Sequence, residues 1–426
     1  MAFTWRHMRK SWPIPDDTLT IPSPGGEPMA GASDRSPIPE DRFARLAGGR
    51  PLKVLQVTHD LLPGGLQRVV LDLASGLNRA GHVAHICSLR GHGPLGQEVL
   101  DRGIPLWAMP WPERGADRLL FLKLLRLLKL EDYDVVHTHN THAFLDGGLA
   151  ALLAGTPARI HTDHARAFPD KLRYMMMERF MSHSYHKVVG VSEHTAENLR
   201  EYEGISPGKL AVILNGIDGA WYRDERDRLD RAALRRAAGL DRFSKVIGLG
   251  VRLEEQKGIR HLLEAMPAVL ARHPGTGLAV AGTGSLETEL RAKALELGIS
   301  DNVRFLGSYP QLTSFYPLLD AFVLPSLWEG LPLCLLEAMS LALPVVATAV
   351  GGVPDLLEDG TNARLVPPAD AAALASALTA MLDDFPKAQR MGEDARRAFE
   401  ARYDSSVMVK NYLDLYRSAL GESPIP

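Results

Sequence analysis

Two cysteines in 426 residues, Cys87 and Cys334, leave no basis for a disulfide framework. Each sits inside an apolar run without metal-ligand spacing, which predicts buried free thiols in a reducing compartment. Aromatic residues make up only 7%, and the formal net charge is just -3, so nothing global points to nucleic acid. Long hydrophobic runs are also missing: Lys123, Arg126 and Lys129 break the most apolar stretch before it reaches the length of a bilayer span. Arg6, Arg9 and Lys10 near the start are not followed by the apolar core of a secretory signal. Together these absences predict a cytoplasmic protein.

What is present is ordinary globular material, 46% hydrophobic and 23% charged, in a chain long enough for two cores. Residues 1–50 are rich in Pro, Gly, Ser and Asp without a sustained period, and read as a disordered tail outside the fold. From Lys53 onward, short β-rich runs alternate with helical patterns, which predicts an α/β protein with parallel sheets and crossover helices. The first-half strands are expected at 54–57, 83–87, 135–137, 159–162, 188–191 and 211–213, with a helix over 69–79 stopped by Gly81. The second half begins at Lys245–Gly250, followed by strands at 278–281, 303–305, 321–324 and 345–348. The charged stretch 222–243 reads as a solvated connection plus a helix. Residues 51–215 and 216–402 thus form two Rossmann-like doubly wound domains, and 403–426 a final helix able to return to the first. Ligands in such units bind beyond the carboxyl ends of the strands, so a cleft between the domains is the expected site.

The densest chemical signal is ProSerLeuTrpGluGlyLeuProLeuCysLeuLeuGluAlaMet, Pro325 to Met339. It follows a strand and opens a helix whose first turn contains Gly330 and Pro332. Free amides at that helix start suit a diphosphate. Glu329 at its mouth can accept hydrogen bonds from sugar hydroxyls. Glu337 is set among Leu335, Leu336, Ala338 and Met339, where a carboxylate is costly unless bonded. It either binds a ligand, caps a backbone turn or pairs with a base. A second motif, Gly250 to Gly258, places Arg252 and Lys257 near a strand end. They either neutralise a leaving diphosphate or bridge to Glu254 or Glu255 on the surface. Gly64-Gly65 and Ala281-Gly282-Thr283-Gly284 are strand-to-helix turns that tolerate phosphate.

With those motifs in order, residues 52 to 420 resemble the retaining glycosyltransferases of the GT-B fold, family four, with their glutamate-x7-glutamate motif. The resemblance implies that Glu329 contacts donor-sugar hydroxyls and Glu337 the ribose, while Gly330, Leu331 and Leu333 supply backbone amides. It implies that Arg252 and Lys257 bind the diphosphate, and that Gly64, Gly65, Gly282 and Gly284 approach the donor. His164, closing HisThrAspHis, would meet the donor sugar near the reacting carbon; His161 and Asp163 stay undecided. Val251, Gln67 and Thr283 depart from the commoner residues. Asn215, Gly216, Ile217 and Asp218 resemble the interdomain hinge or form a plain turn. His137, His139 and His142 do not supply a closed metal-ligand set, and the family is generally metal-independent, so no cofactor is expected.

Retention implies either a carboxylate nucleophile or front-face substitution; no first-half acid sits in a nominating motif, which favours the second. The implied activity is transfer of a hexosyl group from a UDP- or GDP-sugar to a carbohydrate hydroxyl. The acceptor is expected to be a polyprenyl-diphosphate-linked glycan in exopolysaccharide, capsule or lipopolysaccharide assembly. Leu119 to Leu130 is a basic leucine helix that either lies on an anionic membrane or packs against the first sheet with a solvated basic edge. Arg173, Arg179, His183, His186 and Lys187 interleave with Met175 to Met177 in a second basic–apolar stretch. Peripheral contact with the inner face of the cell membrane is therefore expected. A sugar-nucleotide epimerase, or an inactive sugar-nucleotide-binding subunit, is the alternative reading. A dinucleotide oxidoreductase is disfavoured because no GlyxGlyxxGly fingerprint follows either first strand. Base choice is expected near Gly307 to Leu312.

Overall fold

The computed structural model describes the strand Leu19–Thr20 and residues 49–110, 117, 119–164, 170–309 and 312–423. By internal contact the chain divides into two compact units, Met1–Ile213 with Met408–Pro426, and Leu214–Val407.

The first unit is built on an eight-stranded sheet. Its strands are β1 (Leu19–Thr20), β2 (Lys53–Thr58), β3 (Val83–Ser88), β4 (Leu106–Ala108), β5 (Val135–His139), β6 (Ala158–Asp163), β7 (Lys187–Gly190) and β8 (Leu210–Val212). The order is β1-β4-β3-β2-β5-β6-β7-β8, parallel except for β1. In register, Val54 of β2 lies between Ala84 of β3 and Val135 of β5. Helices cover the sheet, so β2 and β5 are buried almost throughout and read as continuous apolar runs rather than alternating ones. Two features differ from the sequence expectation. Leu19–Thr20, assigned above to a tail outside the fold, pairs with Leu106–Trp107. The helix Gly65–Arg79 starts four residues early, directly after an extended Gly64.

The basic leucine stretch forms the helix Leu120–Glu131. Its Leu120, Leu124, Leu127 and Leu128 pack with Val57, Cys87, Leu89 and Val136 in one core cluster. Lys123 pairs with Asp117 at 2.6 Å, and Lys129 donates to the Ala154 carbonyl. This is a sheet-packed helix with a basic edge. Another helix, Ser405–Ala419, contributes buried Met408, Tyr412, Leu413 and Tyr416 to the first unit.

The second unit carries a six-stranded, all-parallel sheet in the order β11-β10-β9-β12-β13-β14. Its strands are β9 (Lys245–Gly250), β10 (Thr276–Ala281), β11 (Val303–Gly307), β12 (Ala321–Leu324), β13 (Val345–Thr348) and β14 (Arg364–Val366). The chain runs outward from β9 through β10 to β11, then returns to β12 on the other side of β9. That reversal is a topological switch point, where adjacent loops part and leave a ligand crevice at the strand carboxyl ends. In the first sheet the corresponding point lies between β2 and β5. The stretch 222–243 is exposed or half-buried apart from Tyr222, Leu240 and Phe243, and it contributes to two helices of the second unit, Gly219–Asp227 and Arg231–Ala237. Arg231 and Arg235 hold that region down through Asp320, each at 2.8 Å.

Candidate functional site

At the switch point of the second sheet, four loops meet. The loop after β9 runs against the turn after β10: the Val251 amide donates to Ala281, and the Leu253 amide to Thr283, both at 3.0 Å. Gly282 has φ +123°, and a Cβ there would collide with the Val251 carbonyl oxygen; one on Gly284 would strike that of Leu253. Glycine is therefore required for this close packing as well as for any ligand approach. The same loop reaches the one after β12. The Leu327 amide donates to the Gln256 carbonyl at 2.7 Å, Gln256 Nε2 donates to Trp328, and Gly258 lies against Pro325. The fourth loop, after β13, abuts the third: the Gly352 amide donates to the Gly330 carbonyl at 2.8 Å.

Within this frame Lys257 Nζ lies 2.6 Å from Glu329 Oε1, and the two side chains are only 13% and 5% exposed. Ser326 Oγ donates to the same oxygen at 2.6 Å. Glu329 Oε2 has no hydrogen bond to a described residue, so one carboxylate oxygen remains available for a hydroxyl. Lys257 therefore does not bridge to Glu254 or Glu255. Glu254 instead accepts from the Ser285 amide and hydroxyl. Those bonds, with Arg252 nearby as a lesser cause, hold the Glu254 carboxyl below its ordinary value. Arg252 itself is exposed at the loop, without a hydrogen bond or salt bridge to a described residue.

The helix after β12 begins at Leu333, with Pro332 as its N-cap, so Gly330 precedes it rather than lying in its first turn. No side chain caps this start, and its first amides precede the Leu335-to-Pro332 bond. Glu337 is buried, at 5% exposure. Tyr222 OH donates to its Oε1 at 2.6 Å, and Tyr316 OH donates to its Oε2. Two phenols thus bond this buried carboxylate. Burial, then the adjacent Glu337 charge, raises the Tyr316 phenol well above its usual range, so Tyr316 remains a donor. Gly307 φ is +67°, and its carbonyl accepts from the Gly282 amide at 2.7 Å; Pro310 and Gln311 of the proposed base-reading region lie outside the described residues.

In the first unit, Gly64 and Gly65 are exposed where the chain passes from β2 into its helix. Asp60 organises that turn by accepting from the Leu62 amide and Gln67 Nε2. His164 follows β6; its amide donates to Asn140 Oδ1 at 3.2 Å, and its Nε2 lies 2.9 Å from His139 Nδ1. Burial lowers the His164 imidazole to about 3. His161 is core: Thr138 faces its Nδ1 at 3.0 Å, and the Phe144 ring lies against it at a 49° tilt. His137 and His139 use both ring nitrogens on protein partners, while His142 stacks on His59. Asn215 is buried before Asp218, which caps the next helix by accepting from the Trp221 amide. Ile217 bridges Asp404, and the Ser405 amide donates back to Ile217, so this is more than a plain turn.

Two units of largely parallel sheet flanked by helices fit the two Rossmann-like domains of the GT-B glycosyltransferase class. Residues 230–398 match the family model "Glycosyl transferases group 1", and residues 63–221 match "Glycosyltransferase Family 4". The chain is 31% identical to the phosphatidyl-myo-inositol mannosyltransferase of Mycolicibacterium smegmatis, over 84% of this chain and 92% of that protein. It is 29% identical to the UDP-Gal:alpha-D-GlcNAc-diphosphoundecaprenol alpha-1,3-galactosyltransferase of Escherichia coli, over 78% of this chain and 88% of that one. The solved structure of Anabaena HepE with UDP and glucose superposes with a TM-score of 0.75 at 21% identity, covering 86% of this chain and 100% of HepE. This chain belongs to the family-four type of GT-B glycosyltransferases, and it is a transferase enzyme.

Proposed function

We propose that this glycosyltransferase moves a hexosyl group from a UDP- or GDP-sugar to a sugar hydroxyl, with retention of anomeric configuration. The acceptor is a glycan on a polyprenyl-diphosphate carrier in polysaccharide or lipopolysaccharide assembly. The observation that carries this reading is the convergence of Arg252, Lys257, Glu329 and the Gly282–Gly284 turn at the switch point of the second sheet. Arg252 and Lys257 supply positive charge where the diphosphate leaves, and the Leu333 helix start supplies unpaired amides. Lysine retains two further donors beside Glu329. Glu329 Oε2 takes a donor-sugar hydroxyl. Glu337, held by Tyr222 and Tyr316, takes the ribose. Gly64, Gly65, Gly330 and Leu331 bring backbone close to the donor, and His164 meets the sugar. The leaving diphosphate takes the proton of the incoming hydroxyl on the same face, and no metal is required.

The lipid-linked acceptor is supported by the printed activity of the Escherichia coli relative, and by one exposed helix. Leu172–Ser182 presents Leu172, Met176, Met177 and Phe180 to solvent, at 69%, 63%, 48% and 78% exposure. Lys171, Arg173, Arg179 and His183 are exposed around them. An apolar face with a cationic surround suits the cytoplasmic surface of an anionic membrane. No described helix is long and apolar enough to cross one. Binding and slow hydrolysis of UDP-glucose, UDP-galactose, UDP-N-acetylglucosamine and GDP-mannose test the donor; a donor epimerised without hydrolysis or transfer would establish the epimerase instead. Flotation with anionic liposomes at low salt tests the surface, and absence of binding there would remove it.

A further inference from the structure

His164 stands at the end of a continuous buried chain of hydrogen bonds. His139 Nδ1 lies 2.9 Å from His164 Nε2, and His139 Nε2 lies 2.8 Å from Gln56 Oε1. Gln56 Nε2 donates to Tyr416 OH at 3.3 Å, and that hydroxyl is 2.7 Å from His137 Nδ1. His137 Nε2 is 2.7 Å from Thr162 Oγ1, which lies 2.9 Å from Tyr412 OH. Gln56, His137, His139, Thr162, Tyr412 and Tyr416 are all at most 1% exposed. At the other end, His164 Nδ1 is buried with no hydrogen-bond partner among the described residues.

Neutral imidazole donates from one nitrogen and accepts at the other, so each link fixes the next. From His164 through His139 to Gln56 only two patterns satisfy the links: all three groups donate away from His164, or all donate toward it. They differ at the open end. Donation toward His164 leaves a buried N–H without an acceptor there; donation away leaves a bare acceptor. Orphaned buried N–H groups are the rarer and costlier case. The Gln56 amide, with its oxygen on His139 and its nitrogen on Tyr416, matches donation away from His164.

We propose that Gln56, acting through His139, fixes His164 as the Nε2–H tautomer and so presents Nδ1 as a hydrogen-bond acceptor for a hydroxyl-bearing ligand. Gln56 and His139 are then positioning residues, and Tyr416 anchors the chain from the C-terminal helix. The consequence for turnover rests on the contact between His164 and the donor sugar proposed above; the tautomer does not.

The test uses full-length protein labelled with 15N-histidine. Long-range proton–nitrogen correlation reads which His164 nitrogen carries the proton. The wild type should show Nε2–H. Gln56→Glu keeps an acceptor for His139 and should preserve it, whereas Gln56→Leu should give mixed tautomers. Gln56→Leu should also lower kcat/KM for the donor about tenfold, the order expected for one lost hydrogen bond, with recovery in Gln56→Glu. An Nδ1–H tautomer in the wild type, or a tautomer unmoved by Gln56→Leu, would overturn the proposal. A tautomer that shifts with unchanged kcat/KM would uphold the relay and remove His164 from the donor contact instead.

Discussion

Replacing Lys257 by Ala strips the cation from Glu329 and leaves the carboxylate in place, 5% exposed. At 2.6 Å and an effective dielectric constant of roughly 20, the pair's Coulomb attraction is about 6 kcal/mol, much of it offset by desolvation of both groups. Removing one partner of such a pair costs about 3–5 kcal/mol, because the remaining charge is uncompensated. Ser326 still donates to Oε1 after the substitution, which places the loss near the lower end, about 3 kcal/mol. For a unit the size of residues 214–407 this corresponds to a fall in Tm of roughly 6–12 °C, read by scanning calorimetry. Adding Glu329→Gln to Lys257→Ala removes the stranded charge and should recover about 2 kcal/mol. A single variant within about 0.5 kcal/mol of wild type, or no recovery in the double variant, would refute the reasoning. The result also bears on chemistry, since turnover lost in Lys257→Ala would combine this structural loss with that of the proposed phosphate contact.

Tyr222→Phe and Tyr316→Phe each delete one phenol from Glu337 and should each cost about 1.5–3 kcal/mol in urea unfolding, the range for hydrogen bonds to charged groups. Wild-type midpoints for both would show that the carboxylate does not depend on them. Burial holds His59 and His85 at about 4 and His164 at about 3, all below the ordinary 6.5. The unfolded chain therefore binds more protons than the native one across that window. Stability should be full above pH 6.5 and decline as pH falls toward 4 and then 3. Equal urea midpoints at pH 7 and pH 5 would contradict this.

Much of the loop geometry of the second unit was legible because local chain signals create it. Pro325–Met339 follows an apolar strand, and Gly282 and Gly284 punctuate another, so their place beyond the strand ends could be read from residue order. The leucine spacing of 119–130 likewise encoded a sheet-packed helix. Three things were not legible. The strands Leu106–Ala108 and Arg364–Val366 are three residues long, too short to show a period. Tyr222 is 115 positions from Glu337, and an isolated tyrosine carries no sign that its hydroxyl serves a distant carboxylate. The alternation of His137 and His139 puts them on one face of β5, but their partners Gln56 and Tyr416 come from elements 83 and 279 residues away.

The central claim is that the switch point of the second sheet stabilises a departing sugar-nucleotide diphosphate. Arg252 tests it most directly, because it is exposed and holds no hydrogen bond to a described residue, so Arg252→Ala should leave stability within about 0.5 kcal/mol of wild type. Single-turnover cleavage of the donor that the wild type accepts, measured with folded Arg252→Ala, should slow by about 10²–10³-fold. Cleavage at the wild-type rate would contradict the account.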